Sequence, residues 1–208
     1  MLELSVVQIT PNLAERADAA SNRQHILQIA RGLFASKGVA AVNMASIAHF
    51  AQVGKGTLYR RFAHKGELCL ALLDANLQAF QNLSLATLQL MHQQNASYRH
   101  QLEWFLQSTV SYTLANEDYF CEIQRSPLGE SGHFAMPHFW LYQTVRGLFC
   151  AAQRAGELPA GLDANFWANA LLAPLSAQNL RVLRKQFGYT QTQIQAALIS
   201  LLPGHTQP

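Results

Sequence analysis

The sequence predicts an all-α protein with a small N-terminal three-helix head, which carries a helix-turn-helix, and a larger C-terminal helical body. Apolar residues recur at helical spacing along most of the 208 residues, and no segment sustains the alternation of a strand. Residues 43–62 contain two short helical patterns joined by a tight glycine-containing turn. The charge is divided in the same way: residues 1–65 carry eight lysines and arginines against three acids, and residues 66–208 carry seven against nine.

The composition bounds the class of protein. Half of the residues are hydrophobic, which is enough for a sizeable core in one or two domains. Cys69, Cys121 and Cys150 show no pairing or metal-ligand spacing and fit a reducing cytoplasm. No uncharged apolar run is long enough to predict a transmembrane helix. The acidic Glu3 lies where a signal peptide needs positive charge, so we expect a cytoplasmic protein.

We expect residues 1–20 to be an irregular, flexible arm, because Pro11 interrupts any early helix. Such an arm can reach a DNA minor groove, with Arg16 as the candidate, or it can be a disordered tail. The first predicted helix runs from about Ser21 to Ser36, with a capping box at its start and Gly38 as its stop.

The helix-turn-helix is predicted from Asn43 to Phe62. Asn43 is a good N-cap, and the first short helix follows it. After the break at residues 52–54, Lys55 begins a second helix to about Arg61, with Leu58 and Phe62 on one side. In such a unit the second helix enters the DNA major groove. The predicted DNA-binding residues are Asn43, Lys55, Gly56, Thr57, Tyr59, Arg60 and Lys65.

The charge around this unit favours a nucleic-acid partner. No Asp or Glu occurs from Ala19 to Gly66, whereas seven basic residues do. A surface of one sign suits phosphates. Lysine or arginine at the start of the second helix can pair with guanine, and the Thr57 and Tyr59 hydroxyls can contact phosphate oxygens. The other interpretation of each side chain is an ordinary surface group.

Residues 22–70, a third of the chain, resemble the DNA-binding domain of the TetR family of transcriptional repressors. The matching residues are Ile26-Leu27, Ala30, Leu33-Phe34, Gly38, Ile47-Ala48, Ala51, Val53, Gly56-Thr57-Leu58-Tyr59, Phe62, Lys65 and Leu68. Two positions depart from the family pattern: Gln52 replaces the glycine of the turn, and Gly54 replaces the serine that caps the second helix. Since glycine is tolerated at an N-cap, we expect the turn to be retained.

Lys65 begins a long helix to about Leu90 that is apolar on two sides and links head to body. A cation at a helix N-terminus opposes the macrodipole unless an anion lies there. Lys65 is therefore predicted to be either a clamp on a DNA phosphate, which the resemblance favours, or a solvated surface lysine.

Five further helices are predicted in the body. Their approximate ranges are 100–116, 118–125, 137–155, 163–186 and 190–201, with a loop at 126–133. Pro174 lies in the middle of the fourth and predicts a kink. Asp163 and Thr190 are predicted N-caps, and Gly156 is a predicted stop.

Aromatic residues are concentrated between 104 and 167, and the resemblance implies an effector cavity between these helices. The candidate pocket residues are Trp104, Tyr112, Phe120, Phe139, Trp140, Gln143 and Trp167. Each of them can instead be plain core. Polar groups that could enter such a pocket are Glu103, Glu122, His133, His138, Gln143 and Arg146. A buried acid would suit a cationic ligand and Arg146 an anionic one, so the ligand class stays open.

The resemblance also implies a homodimer through a four-helix interface of the last two helices. The candidate interface residues are Leu171, Leu175, Leu183, Ile194, Leu198 and Leu201. The alternative is that these apolar side chains pack within one chain. A two-fold dimer would present two heads to successive major grooves of a palindrome.

The sequence thus predicts a ligand-responsive DNA-binding regulator, most simply a repressor released from double-stranded operator DNA by a small molecule. Its predicted parts are the arm 1–20, the head 21–65 and the body 66–208. No catalytic motif, cofactor motif or metal-ligand spacing is present in the sequence, which disfavours an enzyme. A helical small-molecule carrier that has lost DNA recognition and an activator in place of a repressor remain alternatives.

Overall fold

The computed structural model describes residues 13–127 and 135–204, with only the backbone described at 13–17, 19 and 135–138. The described residues form α1 (Leu13–Lys37), α2 (Met44–Phe50), α3 (Lys55–Arg61), α4 (Lys65–Gln93), α5 (Tyr98–Ala115), α6 (Glu117–Gln124), α7 (Ala135–Arg154), α8 (Ala164–Leu172), α9 (Ala177–Lys185) and α10 (Gln191–Ser200). This part of the chain contains no strand, so the all-α prediction is confirmed. None of its helices is long and apolar enough to cross a membrane.

The first helix begins earlier than the sequence predicts. α1 starts at Leu13, so residues 13–20 of the predicted arm are helical, and Ser21 lies inside the helix and is not its cap. Residues 13–37 contain no proline, whereas Pro11 precedes them, and one polar residue with capping potential does not stop a helix. The remainder of the predicted arm, residues 1–12, lies outside the described residues, as does the Arg16 side chain.

Most of the other predicted helix ends are confirmed. Asn43 accepts a hydrogen bond from the Ser46 amide, and Asp163 and Thr190 cap α8 and α10 in the same way. Gly38 and Gly156 follow their helices with φ of 81° and 73°, the left-handed conformation that glycine tolerates.

Pro174 breaks the predicted long helix into two. α8 ends at Leu172, a single 3₁₀ turn covers Ala173–Leu175, and α9 begins after Ser176. The proline ring has no amide hydrogen and would collide with the carbonyl of the preceding turn, which accounts for the break.

The apolar side chains form two clusters. The first contains the inner faces of α1–α3, the start of α4 and Ile123 of α6. The second lies among α5 and α7–α10 and includes Phe105, Phe149 and Leu180. The first cluster therefore crosses the predicted boundary at residue 65, because Leu68, Leu72 and Ile123 belong to the core of the head.

Four of the six predicted interface residues lie in the core of a single chain. Leu171, Leu175, Ile194 and Leu198 are at most 6% exposed and pack in the second cluster, so they are not available to a partner. Leu183 is half-buried and Leu201 is 52% exposed. The apolar spacing marked the inner face of each helix, as it does for most amphipathic helices.

The turn of the helix-turn-helix keeps its shape despite Gln52. Gln52 has φ of 54°, in the left-handed region, and the Val53 amide donates to the Ala48 carbonyl at 3.0 Å. Gly54 occupies the N-cap of α3 with extended backbone and no side-chain cap. The prediction that the turn is retained is confirmed.

We expect Gln52→Gly to raise the free energy of unfolding by roughly 0.5–1 kcal/mol, because a left-handed conformation costs a residue with a Cβ about 1–2 kcal/mol. Urea unfolding measures the change. Gln24→Gly, at an exposed site inside α1, is the control and should lower stability by about 1 kcal/mol. Equal losses in both variants would contradict a left-handed Gln52.

Candidate nucleic-acid interface

α1 holds the helix-turn-helix in place through two contacts. The Arg23 guanidinium lies 5.0 Å from the centroid of the Phe62 ring, at the end of α3. His25 Nε2 is 3.1 Å from the Ala51 carbonyl oxygen, at the end of α2. Ile26, Ile47 and Leu58, one from each helix of the head, are fully buried between them. α3 is therefore fixed on its inner side and leaves its outer side free.

The outer side of α3 carries most of the residues predicted to bind DNA. Lys55, Gly56, Tyr59 and Arg60 are exposed, and the Tyr59 ring is 50% exposed. Thr57 is half-buried. Arg61 is half-buried, and its Nε is buried. Of the two adjacent arginines, Arg60 is thus the more exposed.

A surface depression joins three of the predicted residues. It has a volume of about 490 Å³ and is lined by residues 40–45, Tyr59 and Lys65. Asn43 lies at its edge as the cap of α2: its side-chain oxygen is occupied by the Ser46 amide at 2.9 Å, so its amide nitrogen remains to meet a partner. Tyr59 and Asn43 give its lining a hydroxyl and an amide, which can donate hydrogen bonds to a phosphate.

The exposed charge of the head has one sign between residues 20 and 66. Arg23, Arg31, Lys37, Lys55 and Arg60 are exposed, and no acid lies in this range. Such a surface attracts a polyanion and gives salt-dependent binding.

Lys65 does not extend into solvent. Its Nζ donates to the carbonyl oxygens of Val39 at 3.0 Å and Val42 at 3.1 Å, and lies 3.2 Å from Glu122 Oε2. Its side chain is 16% exposed. The interpretation of Lys65 as a solvated surface lysine is therefore wrong. Its ammonium points to protein oxygens, whereas a clamp on a DNA phosphate would point outward. The family pattern identified Lys65 but did not indicate that Glu122, 57 positions later, would pair with it.

α6 connects this lysine to the body. Ile123 is fully buried in the core of the head, and the Tyr119 ring meets Phe34 of α1 edge-on at 6.0 Å. At the other end of α6, Glu117 is 7% exposed and pairs with Arg181 and Arg184 of α9 at 3.2 and 3.3 Å. The short helix is thus held by the head on one side and by α9 on the other.

The first turn of α4 packs directly on the end of α6. Gly66 is buried, and a Cβ there would overlap the Ser126 hydroxyl and lie 2.5 Å from the Ser126 Cβ. His64 Nδ1 accepts from the Glu67 amide at 3.2 Å, and Glu67 accepts from the Ala63 amide at 2.6 Å. These bonds fix the three residues, 62–64, that connect α3 to α4.

Cys69, one turn further along α4, is fully buried beneath this junction. Burial, with a further effect of the Glu122 carboxylate, raises the pKa of its thiol to about 12, so it stays neutral at physiological pH.

Four aromatic rings meet between α4, α5 and α7. The Phe80 ring is central: it stacks on Tyr112 at 4.5 Å and meets Trp140 and Phe105 at 5.8 and 6.3 Å. The Tyr112 hydroxyl is buried with no hydrogen-bond partner, and burial raises its pKa. An unpaired buried hydroxyl beside apolar rings is a ready hydrogen-bonding group for a small ligand. Phe80 lies outside the aromatic-rich range 104–167, so the composition of that range did not indicate it.

The other predicted pocket residues lie elsewhere. Phe139 is 59% exposed and Gln143 is exposed, so neither lines an enclosed site. Trp167 stacks on Phe149 at 6.2 Å, and Trp104 packs against the second cluster. Only Phe120, whose ring is 6.2 Å from Tyr112, extends the four-ring group.

The polar residues considered for the pocket have other partners. Glu103 pairs with Arg99, Glu122 with Lys65, and Arg146 donates to Asn165. The His133 and His138 side chains lie outside the described residues. Within the described part of the chain, no group of three or more His, Cys, Asp or Glu side chains could hold a metal ion.

We expect Gly66→Ala to lower the free energy of unfolding by about 1–3 kcal/mol, because its Cβ overpacks against Ser126. Gly147→Ala is the matched control: it is also helical, nothing lies within 4 Å of its Cβ, and it should gain up to about 1 kcal/mol. Ser126→Gly should restore stability to the Gly66→Ala variant. Equal effects at both glycines in urea unfolding would show that the junction is not tightly packed.

We expect Tyr112→Phe to leave the free energy of unfolding unchanged or to raise it by up to about 1 kcal/mol, because the Tyr112 hydroxyl is buried and makes no hydrogen bond. Tyr142→Phe removes a hydroxyl that donates to Asn165 at 2.9 Å and should cost about 0.5 kcal/mol. A loss of more than this in Tyr112→Phe, measured by thermal unfolding, would mean that the hydroxyl is bonded in the folded protein.

Comparison with known proteins identifies the head. Residues 26–72 match the model of the tetR family of bacterial regulatory proteins. An HTH-type transcriptional regulator of Staphylococcus aureus is 43% identical over 65 residues, 31% of this chain and 35% of that protein. The chain thus matches only about a third of the length of this curated relative.

Two solved structures share the fold of most of the chain. The transcriptional regulator FadR of Bacillus subtilis, in complex with stearoyl-CoA, superposes with a TM-score of 0.65 at 16% identity and covers 88% of this chain and 99% of that one. FadR of Thermus thermophilus, a TetR-family repressor in complex with lauroyl-CoA, gives 0.65 at 18% identity over 89% and 95%. Residues 26–72 thus resemble the N-terminal domain of the tetR family of bacterial regulatory proteins, and most of the chain shares the fold of the two FadR regulators.

Proposed function

We propose that this protein is a repressor that binds a palindromic DNA operator as a homodimer and leaves it when a small molecule occupies the body. The observation that carries this is the outer side of α3, where Lys55, Tyr59 and Arg60 are exposed in a head with no acid between residues 20 and 66. The proposed parts are the head up to Lys65, which acts in the cytoplasm on DNA, and the body beyond it.

Each side chain has a proposed role on DNA. α3 enters the major groove, with Lys55 at its start within reach of base edges and Arg60 as a further contact. Tyr59 and Asn43 face the depression beside α2 and bind a phosphate, and Gly56 and Thr57 allow the backbone to approach closely. Phosphate contacts set the position and the base contacts set the sequence preference.

The proposed dimer uses α8, α9 and α10, but through side chains other than most of those predicted. Phe166 and Phe187 are 66% and 67% exposed, and Leu201 is 52% exposed. Phe166 lies on α8, whereas Phe187 and Leu201 follow the ends of α9 and α10. Large apolar side chains left in water in this part of the chain favour burial against a second copy. Two-fold pairing would place two heads about one helical turn of DNA apart.

The proposed ligand enters the four-ring group of Phe80, Phe105, Tyr112 and Trp140. Its apolar part would separate the rings and its polar part would accept from the Tyr112 hydroxyl. The acyl-CoA complexes of the two FadR proteins make fatty acyl-CoA the first compounds to test. Ligand and DNA would then compete for conformations of the head with a coupling energy of about 1–3 kcal/mol.

Selection of binders from a random DNA pool, followed by fluorescence anisotropy at several salt concentrations, tests the proposal. Nanomolar binding to a palindrome, with a steep salt dependence, is expected. Weak binding that is equal for all sequences would contradict it and favour a small-molecule carrier. The retained turn at Gln52 and Gly54 removes the sequence feature that suggested such a carrier.

We expect Tyr59→Phe and Lys55→Ala to weaken binding in different ways. Loss of the Tyr59 hydroxyl removes a phosphate contact, so affinity should fall by a similar factor on the operator and on random DNA. Loss of Lys55 should cost about 1–3 kcal/mol on the operator and relax the preference at one base pair. Anisotropy titrations on the operator and single-base variants measure both. Equal losses on all sequences for Lys55→Ala would rule out a base contact.

A further inference from the structure

Lys65 lies at the edge of the depression that suits a phosphate, yet its ammonium is already occupied. Three oxygens surround Nζ: the Val39 and Val42 carbonyls of the head and the Glu122 carboxylate of the body, all within 3.0–3.2 Å. A lysine ammonium has three donor hydrogens, so this set uses all of them. Withdrawing the lysine to meet DNA would leave Glu122, which is 19% exposed, without its partner.

The two carbonyls belong to the segment that places α2. Val39 and Val42 are 5% and 3% exposed, and Asn43, the next residue, caps α2 and lines the depression with Tyr59. Lys65 therefore bonds on one side to the segment that positions a proposed phosphate contact. On the other side it bonds to α6, which Arg181 and Arg184 of α9 hold through Glu117.

We propose that Lys65 is a positioning residue, not a DNA contact: with Glu122 it ties the segment 39–43 of the head to α6 and so holds the head in its DNA-binding orientation. This inference rests on the proposed function and specifies how the body controls the head. Without the tie, the head samples other orientations, and the fraction competent to bind DNA falls.

The salt dependence of DNA binding distinguishes the two roles of Lys65. A lysine that neutralises a phosphate contributes about 0.9 to the slope of log K against log salt, or about 1.8 for two heads. A positioning residue changes the affinity and leaves the slope unchanged. Removal of the Glu122 carboxylate also distinguishes the two roles. If Lys65 contacts DNA, loss of this carboxylate frees the lysine and leaves DNA binding unchanged or tighter. If Lys65 positions the head, the same loss weakens DNA binding.

The test compares Lys65→Met, Glu122→Gln and the double variant on the selected operator. We expect each single variant to bind about 5- to 30-fold more weakly with an unchanged salt slope, and the double variant to resemble either single one. Asp118→Asn is the matched control, because it removes the same charge from the same helix at a side chain that is 58% exposed and pairs with Arg181. It should bind like the unmodified protein.

A lower slope in Lys65→Met, together with unchanged or tighter binding in Glu122→Gln, would overturn the proposal. Thermal unfolding of every variant separates loss of the tie from loss of the fold. Amide hydrogen exchange without DNA gives an independent result: residues 39–44 should exchange faster in Lys65→Met and Glu122→Gln than in Asp118→Asn. Unchanged exchange at residues 39–44 would overturn the proposed role of Lys65 and Glu122, whether or not the protein binds DNA. Absence of DNA binding would instead refute the proposed function.

Discussion

The structure depends on the way α6 is held between two charged contacts. Glu117 at its start pairs with two arginines of α9, and Glu122 near its end pairs with Lys65 at the start of α4. Lys65 and Glu122 are both largely buried, so solvent screens this pair only weakly, whereas the partly exposed arginines leave the Glu117 pairs more strongly screened. Between them, Ile123 fills the core of the head. A helix of two turns therefore joins the orientation of the head to the packing of the body.

This arrangement gives the proposed ligand in the body a way to act on a head that it would not touch. Phe120 of α6 lies beside Tyr112, and Tyr112 stacks on Phe80 in the four-ring group. A molecule that separated these rings would displace Tyr112, which contacts Phe120 of α6. At the end of α6, Gly66 leaves no free space between this helix and α4. Tightly packed contacts of this kind have few alternative arrangements, so a small displacement favours one orientation of the head over another.

The sequence predicted the elements that depend on local signals. The helix-turn-helix and the Asn43, Asp163 and Thr190 caps follow from residue types at fixed spacing. The same is true of the interruption at Pro174, although the sequence predicted a kink where the structure has a break. The burial of Lys65 and of most leucines of the last helices was not predicted, because it depends on partners far away in the chain. An apolar stripe shows that a helix has a buried face, but the stripes of α8 and α10 are covered by the same chain, not by a second one. Likewise, nothing near Lys65 in sequence indicates that Glu122 would reach it.

The most direct test of DNA reading by α3 is a dimethyl sulfate footprint of the selected operator. The reagent methylates guanine N7 in the major groove and adenine N3 in the minor groove. We expect protection of guanine N7 in two clusters about 10 base pairs apart, with adenine N3 between them still reactive. Protection of adenine N3 alone, or no protection at saturating protein, would contradict a head that places α3 in the major groove.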